Sequence, residues 1–175
     1  HRRSSGAEAR LLQPRRRPQA RAPGRARPCK GAHPRHPTCA GAYYVKIGGF
    51  DTHDDVGGVL EENFAEIDAA LASFVAEMEA QGRWGDVAVL SVSEFGRTIT
   101  SNGAGTDHGW GGNHFVLGGA VKGGQVFGQY PDDLSDDGAH SIGRGRIIPT
   151  TPWDGVWAPM AEWLGVEAGS MAEVL

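Results

Sequence analysis

The chain has 175 residues, room for one domain of ordinary size, and a formal net charge of −4. That total conceals two unlike parts: residues 1–42 carry eleven Lys or Arg against the single acid Glu8, whereas residues 43–175 carry six against twenty acids. No apolar run approaches the roughly 18 residues that a membrane-spanning helix requires, and the acidity of the larger part argues against a nucleic-acid-binding domain.

In chain order, residues 1–42 scatter Pro and Arg without period, contain no aromatic residue, and offer only Leu11 and Leu12 as large aliphatics. Such a segment buries too little apolar surface to offset its ordering entropy and is predicted to be disordered. A nucleic-acid-binding arm would interleave aromatics with its arginines to stack on bases. A transit peptide would be richer in Ser and amphipathic, and the twin Arg2–Arg3 lacks the apolar stretch of a secretion signal. The mixture is also what a GC-rich stretch translated out of frame yields. Cys29 and Cys39 both lie here, and their spacing excludes a CxxC metal pair.

From Tyr43 the pattern reads as alternating strands and helices. "YYVKIGGF" is a short β-rich run closed by two glycines. Leu60, Phe64, Ile67, Leu71, Phe74, Val75 and Met78 then recur at helical spacing between acids, predicting an amphipathic helix stopped by Gly82. "DVAVLSV", residues 86–92, has the composition of a strand buried on both faces of a parallel sheet. Further short strands are expected in "HFVLGGAV" and "GGQVFGQY", and a final helix over about Trp153–Leu164 with Thr150 or Thr151 as its cap. The fold class predicted is therefore α/β with a parallel sheet, its crossover right-handed.

In such sheets the reactive polar residues gather beyond the carboxyl ends of the strands. Asp51 and His53 follow the first predicted strand, with Asp54 and Asp55 beside them; Glu94 and Arg97 follow the second; and the glycine-rich stretch "TDHGWGGNH" supplies Asp107, His108 and His114. Carboxylates and neutral imidazoles without thiolate suit zinc, manganese or iron. Glycine beside them is expected to let Asp107 and His108 turn toward the ions from a flexible loop. His140 reads as an ordinary hydrogen-bonded residue. The acidic stretch 132–138 reads as a solvated loop, although its oxygen spacing would also suit calcium. Arg97, just past a strand end, is the candidate for gripping an anionic group.

The combination of "GGFDTH", a helix, and "SEFGRT" followed by "TDHGWG" resembles the bacterial domain-of-unknown-function family 1501, from about Tyr43 to the end. The resemblance implies a branch of the alkaline phosphatase and sulfatase superfamily, commonly exported through the twin-arginine route to the periplasm or beyond. It implies an alkaline-phosphatase-like parallel-sheet sandwich, here the C-terminal half alone, and metal ligation by Asp51, His53, Glu94, Asp107, His108 and His114. Whether Glu94 or Asp107 fills the acid position of the superfamily's Asp-His-Gly motif stays open. The implied substrate is a small anionic ester of phosphate or sulfate. The superfamily's hydroxyl nucleophile lies in the N-terminal half, and no equivalent is recognisable around Ser91, Ser93, Thr98 or Thr106. Residues 43–175 are accordingly expected to be a hydrolase-like fragment inactive alone; the alternative is a non-catalytic exported protein that binds metal structurally.

Overall fold

The computed structural model describes residues 41–175. The disorder expected of residues 1–42 falls, but for its last two positions, outside the described residues. Helix α1 spans Val56–Ala80, followed by strands β1 (Ala88–Leu90), β2 (Gly96–Ser101), β3 (Thr106–Gly109) and β4 (Val116–Gly118), then helices α2 (Asp154–Trp163) and α3 (Met171–Val174).

No parallel sheet forms among the described residues, which corrects the parallel-sheet sandwich expected from the sequence. The four strands make two separate two-stranded antiparallel sheets, β1 with β4 and β2 with β3. "DVAVLSV" does supply β1, but Ala88–Leu90 are only half-buried and pair with Val116–Gly118 on one side only. The first predicted strand is absent: Tyr43, Tyr44 and Val45 are about 70% exposed and carry no strand pairing. Without it α1 is no crossover. "GGQVFGQY" is also irregular. Apolar composition signals burial, whereas strand direction depends on a distant partner that composition does not name.

The helices fall where the period places them. Gly82 adopts φ 63°, and it and Arg83 return their N–H groups to Glu79 and Met78, a glycine stop of the kind that ends helices. The apolar stripe of α1 stays partly in solvent, with Phe64 57% exposed. Trp153 precedes α2 at its N-cap position with no side-chain cap; Thr150 instead donates to Gln129 O, so neither threonine plays the capping role. Trp153 and Trp157 stack at 5.8 Å and are each 40% exposed, short of the core placement their spacing suggests.

Burial is concentrated around one hairpin. Among the described residues Ala161 is the one buried apolar side chain, while the buried polar ones are Thr52 and Thr98, beside and within β2–β3. Arg97 on β2 ties the preceding segment to this hairpin, donating to Phe50 O (3.0 Å), Thr52 Oγ1 (3.1 Å) and Thr106 O (3.0 Å). The 138–148 segment closes the other side: Ile99 N–H donates to Gly145 O, and Gly111 N–H to Ile147 O, each at 2.8 Å.

Candidate metal centre

Between Phe50 and His53 the chain lies along the hairpin, held by Arg97 and by Asn102 Nδ2 on His53 O at 3.2 Å. Thr52 turns inward and is 5% exposed; its neighbours Asp51 and His53 are exposed. That alternation is the reason a single intervening residue suffices: in extended chain, positions i and i+2 face the same way.

The opposite wall is β3. The β2–β3 register is irregular: Arg97 pairs with His108 but Ser101 with Thr106, so Thr98, Ile99 and Thr100 lie opposite Asp107 alone. The strand bulges there, as extra residues on one strand of a pair require. Thr98 Oγ1 accepts from the N–H of Asp107 at 3.1 Å and donates its own O–H to Thr100 O at 2.9 Å. The flexible loop expected around Asp107 and His108 is thus a strand, with Asp107 held opposite the irregular part of β2.

Asp51 and both histidines converge. His108 Nε2 lies 2.7 Å and His53 Nε2 2.9 Å from the same oxygen, Asp51 Oδ1, and one ligand atom from each residue falls within 4.8 Å of the others. The other ring nitrogen of His53 faces Asp107 Oδ1 at 3.3 Å. Phe95, His108 and His53 form a stack, with centroids 4.1 Å apart for the first pair and 5.1 Å for the second. All three candidate ligands are about half-exposed.

The electrostatics follow from these contacts. The hydrogen bond from His108, helped by the charges of His53 and Arg97, holds the Asp51 carboxyl below its ordinary 3.8. Asp107 is likewise held down, first by a hydrogen bond from Asn102 and then by His53.

Other sequence candidates stand apart. His114 rests on Trp153, ring centroids 4.5 Å apart, and Glu94 is exposed, making no ion pair with the cluster. The Arg97 guanidinium donates to backbone and Thr52 and lies 3.5 Å from Asp51. In the acidic stretch, Asp133 accepts from Ser135 N–H and Asp136 from Gly145 N–H. Among the described residues, the one group able to hold a metal is Asp51, His53 and His108.

Sequence reasoning missed Asn102. Its Nδ2 spans His53 O and Asp107 Oδ1, while its Oδ1 accepts from Ala104 and Gly105 N–H. The Asn-Gly pair at 102–103 between two polar-apolar runs is a hairpin signal, and reading it would have found both β2–β3 and this residue. Phe95, inside "SEFGRT", carried no such signal.

The profile of the family described as "Protein of unknown function (DUF1501)" matches residues 39–142. The chain belongs to that family. Neither the curated proteins nor the solved structures contain a match to it. No helix among the described residues is long and apolar enough to cross a membrane.

Proposed function

We propose that Asp51, His53 and His108 hold a divalent transition-metal ion, and that this centre acts on small anionic esters of phosphate or sulfate. The observation that carries the reading is the convergence of two imidazole nitrogens and one carboxylate oxygen within 4.8 Å. Two nitrogens and one oxygen suit zinc, manganese or iron, and suit calcium less, since it prefers oxygen throughout. Three protein ligands also leave a position open, as catalytic sites do.

The contacts of His53 are compatible with it: its two ring nitrogens face two carboxylates, Asp51 and Asp107. With a cation taking Nε2, Nδ1–H donates to Asp107, the carboxylate–histidine pairing that orients metal-binding imidazoles. Asp107 is then a positioning residue for His53. When bound, the cation would polarise an ester oxygen and neutralise anionic charge.

A non-catalytic, structural metal site is the second reading. It is favoured by the hydroxyls nearest the cluster, which are occupied: Thr52 accepts from Arg97, and Thr98 bridges Asp107 and Thr100. Export from the cytoplasm belongs to the proposal on the family resemblance alone.

The test is elemental analysis of the purified chain after loading with zinc or manganese. About one ion is expected for the wild type, far less for His108→Ala and Asp51→Asn, and no change for His140→Ala. Equal metal in all four would sink the centre. Turnover of an aryl phosphate or sulfate by the loaded chain separates the catalytic from the structural reading.

A further inference from the structure

Next to the triad the hairpin and the 143–146 turn form a half-open pocket of about 70 Å³, lined by Thr98, Asp107, His108, Arg144 and Arg146. That is several times the ~10–15 Å³ that admits one water molecule. We propose that it is an oxyanion subsite in which Arg144 and Arg146 hold a tetrahedral phosphate or sulfate group.

Charge placement is the first support. Residues 43–175 carry only six Lys or Arg against twenty acids, yet two of the six line this one cavity, with Arg97 packed on the same hairpin. A guanidinium has five N–H donors in a planar fork that matches an oxyanion. Arg144 places one of its nitrogens 3.4 Å from Asp107 Oδ2, and its side chain is 79% exposed. Arg146 donates Nε to Gly143 O and one terminal nitrogen to Ile142 O, which fixes its plane at the wall of the pocket.

Backbone geometry is the second. Arg144 adopts φ 57° between Gly143 at 81° and Gly145 at 69°, a left-handed run in which a side chain is a steric burden. Such conformations persist where the surroundings over-determine them, and they gather at ligand sites. Here the surroundings do: Gly145 N–H donates to Asp136 Oδ1 at 2.7 Å, its carbonyl accepts from Ile99, and a Cβ added at Gly145 would lie 2.3 Å from Thr100 N. The turn is clamped to the bulge, so Arg144 projects from a rigid base. Arg144 and Arg146 both lie beyond the family match, which ends at residue 142.

The inference rests on the metal-centre reading and adds the side chains that would hold its anionic group, and its test separates the two. The full chain, zinc-loaded and separately chelated, is titrated calorimetrically with inorganic phosphate, inorganic sulfate and phenyl phosphate. Tighter binding of phenyl phosphate than of the free ions would assign the subsite to esters, the reverse order to free oxyanions. Arg144→Asn, which keeps a residue tolerant of the left-handed conformation, is expected to weaken binding about tenfold, the loss of one charge-assisted contact. Arg144→Lys should recover part of it, and Arg83→Gln, whose guanidinium pairs with Asp86 away from the cavity, should change nothing. Zinc content should be the same in all of them. Arg144-dependent anion binding to a chain that takes up no zinc would defeat the metal centre and leave the subsite standing. Binding of none of the three probes, or unchanged affinity in Arg144→Asn, would overturn the subsite.

Discussion

The ring of His108 lies flat on Phe95, centroids 4.1 Å apart and planes within 3°. On its far face His53 stacks less closely, at 5.1 Å. An exposed imidazole ordinarily samples several rotamers, and this sandwich removes that freedom before any ligand arrives. Phe95→Ala should therefore weaken zinc binding about three- to tenfold, the equivalent of the ~0.5–1.5 kcal/mol of a ring pair. Phe95→Tyr should preserve it. Calorimetric titration of both variants checks this.

Asn102 joins His53 and Asp107 through one side-chain amide. Asn102→Ala should lower stability by about 1 kcal/mol, measured by urea unfolding. It should also raise the Asp107 pKa toward its ordinary value, since the Asn102 hydrogen bond is the first cause of its depression. An NMR titration of the Asp107 carboxyl that is unmoved by the substitution would contradict this.

Gly105 is buried against the backbone of His53, and a Cβ there would come within 2.5 Å of the His53 carbonyl carbon. Backbone cannot yield as a side-chain tip can. Gly105→Ala should cost about 1–3 kcal/mol and displace His53 enough to abolish zinc uptake, with every ligand still present. Thermal unfolding and elemental analysis on the same sample test both halves.

Acid should weaken the folded state in a defined window. Asp51 and Asp107 are both held below their ordinary 3.8, so the folded form binds protons less readily than the unfolded one. Their stabilisation is complete above that value and is lost as pH falls through the lowered folded values. Unfolding curves from pH 6 to pH 2.5 should steepen in that lower range for the wild type. Asp51→Asn with Asp107→Asn should flatten the change.

The half-exposed stripe on α1, with Phe64 at 57% and Phe74 at 39% exposure, should bind a hydrophobic dye and promote self-association. Phe74→Glu should reduce both, with a stability change within about 0.5 kcal/mol. Sedimentation at two concentrations decides it.

The two longer helices were legible in the sequence because a 3.6-residue period depends only on near neighbours. Asp51, His53 and His108 were legible as chemistry, since their donor types have a common use. The sheet was not: β1 has the composition of a doubly covered strand, and its antiparallel pairing with residues 116–118 rests on contacts far along the chain. Nor was the role of Asn102 or the placement of Arg144, which depend on how turns dock on the hairpin. The hairpin itself was hidden because glycines at 103, 105 and 109 read as loop, although Gly105 is there for close approach.

The bulge opposite Asp107 has a consequence for how this centre tolerates change. The surplus between Arg97 and Ser101 lies on β2, where it decides which residues face Asp107 and brings Thr98 Oγ1 onto the Asp107 N–H. The support of Asp107 thus depends on the length of β2 as much as on the identity of β3. Removing one residue from 98–100 would leave Asp51, His53, Asp107 and His108 in the sequence but reverse the faces that the following β2 residues present, so that the contacts of Thr98 with Asp107 and of Ile99 with Gly145 would be lost.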